Sequence, residues 1–209
     1  MSITSLTPVF AMPTGVDRLG FPSYQSLPAG VPNPPNAWRE AQELQTVRTL
    51  NSRAHQSPQA LRFTEFMADK GGFDLWMDFA KDYRRTAGFV RGWVGTGLVA
   101  ATMGVTAIKT QLAKRSYDRL RPYQVDASIR TIGKLPKDAG YPSGHTSAAY
   151  AAATVLSHLW PARANEFGWW ANQAGLSRIH AGVHFPSDVQ MGAQLGTRTG
   201  FAAASFLRS

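Results

Sequence analysis

A chain of 209 residues, 44% hydrophobic and 17% charged, holds enough apolar material for one folded domain with a sizeable core, which excludes wholesale disorder and leaves little room for two domains. The absence of cysteine excludes a disulfide framework, thiolate metal ligands and a cysteine nucleophile. With 22 Lys+Arg against 13 Asp+Glu, a formal charge of +9 favours an anionic partner: a phosphate ester, an anionic membrane surface or nucleic acid.

In chain order, residues 1–15 show neither a basic n-region nor a long apolar stretch, so no secretory signal is visible. Seven prolines between Pro8 and Pro35, with several glycines, resist regular structure and predict an extended arm over residues 1–35. From residue 36 to 209 the pattern becomes that of one helical domain. Trp38, Ala41, Leu44, Val47 and Leu50 recur at threefold spacing and predict a helix over 36–53 capped by Asn36. Ser57-Pro58 opens a second helix, since proline suits the first helical position.

Further helices are expected over 73–83, 86–119, 146–160, 163–178 and 186–207, with no convincing alternating strand. Residues 92–108 carry no charge and reach the lower length limit for a membrane span. Their glycines and threonines, and a mean hydropathy of -0.22 for the chain, favour a buried core helix instead. Gly192, Gly196, Gly200 and Ala204 leave one face of the last helix almost bare and suited to close packing on a neighbour. Trp38, Phe63, Phe66, Phe73 and Trp76 fit core packing at helical spacing better than a ligand pocket.

The chemistry-bearing residues fall between 114 and 188. Lys114 and Arg121, seven residues apart, come within about 20° of each other on a helix surface, so both cations can face one place, and Pro122 ends the element. A solvated basic helix end would read the same way. In Tyr141-Pro142-Ser143-Gly144-His145-Thr146, a glycine turn feeds an apolar helix whose free N–H groups form a ready anion site. Ser143 can add a hydroxyl and His145 a general acid, although a capped loop with an incidental histidine has the same spacing. In the stretch from Ser177 to Asp188, Arg178 supplies a forked cation and Pro186 starts the final helix. Asp188 can fix one nitrogen of His184 and leave the other as a nucleophile. His180, His184 and Asp188 are also four apart, but Gly182 and Pro186 interrupt any shared helical face for a metal. His55 and His158 read as surface or packing residues.

Written as K-x(6)-R-P over 114–122, P-S-G-H over 142–145 and S-R-x(5)-H-x(3)-D over 177–188, the three segments resemble the signature of the type 2 phosphatidic acid phosphatase superfamily. That superfamily includes bacterial class A acid phosphatases, to which the likeness is nearest, and vanadium-dependent haloperoxidases. The resemblance, firm over residues 110–200, implies an all-α, single-domain helical bundle of that type. It further implies a phosphatase acting on phosphate monoesters, or on lipid phosphates or diphosphates. The expected intermediate is a phosphohistidine on His184, with no metal or other cofactor. His184, His145 and Asp188 are then the candidate catalytic residues, and Lys114, Arg121, Ser143, Gly144 and Arg178 the candidate phosphate ligands.

The alternative implied by the same resemblance is a haloperoxidase that holds vanadate in the same pocket; for a phosphatase, vanadate is an expected inhibitor. Expected partners are a phosphorylated small molecule or lipid and further copies of the chain in a homo-oligomer. A membrane surface stays open as a partner and nucleic acid does not. The resemblance implies a periplasmic or secreted location.

Overall fold

The computed structural model describes residues 30–207, so most of the expected arm, residues 1–29, lies outside the described residues. Residues 30–36 carry no helix, and two tyrosine hydroxyls hold this stretch: Tyr117 donates to the Val31 carbonyl at 2.5 Å and Tyr141 to that of Pro32 at 2.9 Å. Eight α-helices follow among the described residues: α1 (Ala37–Gln56), α2 (Pro58–Lys70), α3 (Asp74–Thr86), α4 (Phe89–Tyr117), α5 (Pro122–Val125), α6 (Gly144–Leu159), α7 (Ala164–His180) and α8 (Pro186–Ser205). The described residues contain no strand, so the fold is all-α, as expected.

The helix starts obey capping chemistry. Asn36 accepts the Arg39 N–H at 3.1 Å, and Ser57 accepts that of Ala60 at 3.2 Å ahead of Pro58. Helix α6 is buried without interruption from Ala149 to Leu156, which makes it the central rod of the bundle. Around it pack Phe63 and Met67 of α2, Trp76 and Phe79 of α3, Val99 and Met103 of α4, and Phe167 and Trp170 of α7. Phe79 meets Phe167 edge-on at 5.3 Å between ring centroids. Each aromatic buried in this way contributes about 1.5–3 kcal/mol.

Helix α8 closes on the opposite side of α6, and its small residues explain how closely. A Cβ at Gly192 would stand 2.6 Å from the Ser143 carbonyl, and one at Gly200 would stand 2.6 Å from Thr154 Cβ. The expected close approach of the bare face is therefore the α6–α8 contact.

Three expectations are corrected. The stretch 92–108 is core on one face only: Val99 and Met103 are buried, whereas Trp93, Val94, Val105 and Ile108 are exposed. The absence of charge in this stretch concealed that asymmetry. Trp38 and Phe73 are 72% and 53% exposed and lie outside the core, because Trp38 falls on the outer face of α1 and Phe73 precedes the first turn of α3. Finally, α4 ends at Tyr117 rather than Arg119, because Asp118 adopts the left-handed conformation at φ 39° and its N–H caps the Lys114 carbonyl at 3.1 Å. Lys114 and Arg121 thus do not share a helix; the chain turns between them. No helix among the described residues is long and apolar enough to cross a membrane.

Candidate active site

Each of the eight expected site residues sits at or next to a helix end. Lys114 lies in the last turn of α4, and Arg121 immediately precedes α5. Ser143 caps α6, Gly144 and His145 open it, Arg178 lies in the last turn of α7, His184 sits in the α7–α8 loop, and Asp188 lies in the first turn of α8. The start of α6 is tied to that of α8 by the Ser143 N–H, which donates to the Asp188 carbonyl at 2.9 Å.

His184 is buried between opposite partners. Its Nδ1 faces Asp188 Oδ2 at 3.2 Å and its Nε2 faces Arg121 Nη1 at 3.0 Å. A guanidinium can only donate, so Nε2 carries the lone pair and Nδ1 the proton. Burial, then Arg121, Lys114 and Arg178, hold the imidazole well below its ordinary range, so the ring is neutral. Asp188 is fully buried; its Oδ2 also accepts the Phe185 N–H at 2.9 Å, and its Oδ1 accepts Arg119 Nη1 at 2.5 Å. Burial pushes the Asp188 carboxyl up to about 7, while Arg119 and the Phe185 amide pull the other way. With its oxygens meeting three donors, the carboxylate is the form the geometry favours.

The cations are buried as well. Arg121 donates to the Asp138 and Val183 carbonyls at 2.9 and 2.8 Å, and pairs with Asp138 Oδ1 at 2.8 Å. Lys114 donates to the Ala139 carbonyl and lies 3.3 Å from Asp138 Oδ2. Burial and the neighbouring Arg121 lower Lys114 to about 8. Arg178 differs from both: it is buried, yet its Nε and Nη1 meet no protein acceptor. Burial and Arg121 lower it to about 10, so it remains a cation, with donors free for an oxyanion.

His145 keeps part of its surface open and points its Nε2 at the Met67 carbonyl, 2.8 Å away. That carbonyl can only accept, so the neutral ring carries its proton on Nε2 and exchanges another at Nδ1. Burial first, then Arg178, keep the ring well below the ordinary imidazole range. The turn after α2 packs directly on it: a Cβ at Gly72 would lie 2.7 Å from Nδ1. The Ser143 hydroxyl lies 2.9 Å from that of Thr146 and caps the Thr146 N–H at 3.4 Å, and the Gly144 amide is among those left free at a helix start.

Sequence reasoning missed Asp138, which holds Lys114 and Arg121 together, and Arg119, which holds Asp188. Arg119 stands two places before Arg121, which on a continued helix would put the two about 160° apart, whereas the chain leaves the helix at Asp118. Asp138 lies in a loop with no periodic signal. No group of three or more metal-ligating side chains occurs among the described residues. His180 is engaged instead by α1: its carbonyl accepts from Asn51 at 2.8 Å.

Among the described residues the regular elements are all helices, and three buried cations, Lys114, Arg121 and Arg178, gather around one neutral histidine, which defines an all-α protein with a basic pocket. The chain belongs to the PAP2 superfamily, whose sequence profile matches residues 95–208. It is 35% identical over 86 residues to a non-specific acid phosphatase of Providencia stuartii, covering 39% of this chain and 35% of that protein. It is 38% identical over 91 residues to one of Salmonella typhi, covering 42% and 36%. The match therefore spans about a third of the length of these relatives. Among solved structures, the first bacterial vanadium-dependent iodoperoxidase superposes with a TM-score of 0.73 at 19% identity, over 85% of this chain and 52% of that one. LpxE of Aquifex aeolicus superposes with a TM-score of 0.64 at 24% identity, over 78% and 94%. At these identities the structural likeness is one of fold.

Proposed function

We propose that this protein is a phosphatase that hydrolyses phosphate monoesters through a phosphohistidine on His184, without a metal. The observation that carries the reading is the His184 ring, with Nδ1 anchored on Asp188 and the Nε2 lone pair directed among Lys114, Arg121 and Arg178. The acid phosphatase relatives support the phosphatase part of this reading.

Lys114, Arg121 and the free edge of Arg178 bind the phosphoryl oxygens, with the Gly144 N–H and the Ser143 hydroxyl, whose proton is released when Thr146 donates to it instead. Nε2 of His184 attacks phosphorus as the bond to the leaving oxygen breaks, and Asp188 stabilises the charge that appears on the ring. The leaving oxygen takes a proton from Nδ1 of His145. Water then gives a proton back to His145 and attacks phosphorus, the N–P bond breaks, and inorganic phosphate leaves. Burial, then Arg178, depress His145 in the free protein; a phosphate dianion bound beside the ring offsets the Arg178 charge and favours the protonated ring.

The test is to trap acid-labile phosphate during turnover of a monoester with a good leaving group, with and without chelator. Wild type should carry the label on His184 in both conditions, and His184→Ala should carry none and lose turnover. Substantial activity in His184→Ala would discard the reading. Vanadate, a mimic of the five-coordinate phosphoryl group, should inhibit competitively. The iodoperoxidase likeness makes halide oxidation by vanadate-loaded protein with peroxide the outcome that would favour the second reading.

A further inference from the structure

We infer that Arg119 is a positioning residue for the His184–Asp188 pair, and that through it α1, which carries none of the three motifs, sets the state of the nucleophile. The inference rests on the phosphohistidine reading above and deepens it.

The two oxygens of Asp188 have separate duties. Oδ2 takes the Phe185 N–H and His184 Nδ1, while Oδ1 takes Arg119 Nη1 at 2.5 Å. Asp188 has no solvent contact, so its carboxylate cannot rotate without breaking one set. Arg119 is held in turn by a cage from α1 and α8. Its Nε lies 3.0 Å from Glu40 Oε2, its Nη2 lies 3.4 Å from Glu43 Oε2, and its Nη1 also donates to Ser187 Oγ at 2.8 Å. Ser187 closes the ring by donating to Glu43 at 2.6 Å, and the guanidinium lies 4.2 Å above the Phe185 ring.

The donors of Arg119 are therefore committed to Glu40, Glu43, Ser187 and Asp188, away from the Nε2 side of His184, which separates it in role from Arg178, whose Nε and Nη1 meet no protein acceptor. Two charge clusters meet at the His184–Asp188 pair. On the imidazole side stand Lys114 of α4, Arg121, Arg178 of α7 and His145 of α6; on the carboxylate side stand Arg119, Glu40 and Glu43. Without Arg119, Asp188 would face Glu43 in a buried site and hold its proton to higher pH. A neutral Asp188 still accepts from Nδ1 but no longer offsets the positive ring formed at phosphoryl transfer. For Arg119 itself, burial works against the cation and the three carboxylates more than reverse it.

The experiment measures kcat and KM against pH on a monoester with a good leaving group, with thermal unfolding as a fold check. Arg119→Met should lower kcat about 10- to 100-fold with KM within about threefold, and move the acid limb of the kcat profile to higher pH. Adding Glu43→Gln should recover about a tenfold part of that loss by removing the carboxylate left unpaired beside Asp188. Arg119→Lys keeps the charge without the fork, so its kcat should fall while the acid limb stays near that of wild type. If Arg119→Met does not fold, Arg119→Lys and Glu43→Gln carry the test, with Glu43→Gln expected to move the acid limb to lower pH. A raised KM at unchanged kcat in Arg119→Met, or a fall in its kcat with no limb movement and no Glu43→Gln recovery, would overturn the inference, as would an acid limb that moves in Arg119→Lys or stays put in Glu43→Gln. Absence of acid-labile phosphate on wild-type His184 would sink the underlying reading instead, whatever the Arg119 series shows.

Discussion

Arg178 illustrates how a side chain can be costly to the free protein and useful to its ligand. The residue is 5% exposed, with Nε and Nη1 lacking any protein acceptor, and its pKa is lowered to about 10 by burial and by Arg121. An uncompensated buried cation destabilises the fold, and an oxyanion that meets its donors repays that cost on binding. Arg178→Met should therefore raise the ligand-free melting temperature by a few degrees, in keeping with about 1–3 kcal/mol. It should also remove most of the added stability that inorganic phosphate gives wild type, and raise KM. Calorimetric unfolding with and without phosphate checks this; equal phosphate stabilisation in both proteins would show that Arg178 does not bind the anion. At this scale the site was largely legible: local signs in the sequence mark a cation beside a helix end and a histidine ahead of a helix. That Nε and Nη1 of Arg178 would lack protein acceptors was not legible, because it depends on which carbonyls lie opposite.

Among elements, the glycines of α8 and α4 behave oppositely, although each sits in a helix interior where glycine costs about 1 kcal/mol relative to alanine. A Cβ on Gly196 would be driven into the Ser147 carbonyl and lie 2.9 Å from the Ala151 nitrogen, both backbone atoms of the buried rod α6. Since α6 cannot retreat from its core, Gly196→Ala should cost about 2–4 kcal/mol or displace α8, and with it Asp188. Gly97 and Gly104 face open space on α4, so Ala at either should stabilise by up to about 1 kcal/mol with activity unchanged. Chemical denaturation of the three variants separates the cases, and a neutral Gly196→Ala would mean that the α6–α8 contact is looser than described. The fourfold glycine spacing announced this contact in the sequence, because small residues at that interval have one obvious use. The end of α4 was not announced, because Asp118 in a left-handed conformation leaves the surrounding helical pattern intact.

For the whole molecule, long-range polar ties hold the site together, and these were the least legible feature. Asn51 of α1 donates to the carbonyls of Arg130 and His180, both at 2.8 Å, and so binds three distant parts of the chain with one amide. No pattern in the sequence of α1 distinguishes Asn51 or Glu43 from a solvated polar residue. The burial that these ties enforce has a consequence for acid stability. His145 and His180 are lowered to about 3 and about 4, chiefly by burial, and His184 falls well below its ordinary range. The unfolded chain takes up these protons below about pH 6.5, while the folded chain refuses them, so stability is present above that pH and lost as pH falls. A proton that burial holds on Asp188, against its three donors, works in the other direction between about 4 and 7 and offsets at most one of the three histidines. With that offset the net difference is up to about two protons, or roughly 2–3 kcal/mol per pH unit at its steepest. The unfolding midpoint in urea should therefore drop markedly between pH 6.5 and 4.5. Saturating phosphate should flatten the slope, because an anion among Lys114, Arg121 and Arg178 restores the affinity of His145 and His184 for protons. A midpoint that holds steady or rises toward acid would show that these rings take up protons in the folded protein, and would remove the electrostatic basis for a neutral His184 nucleophile.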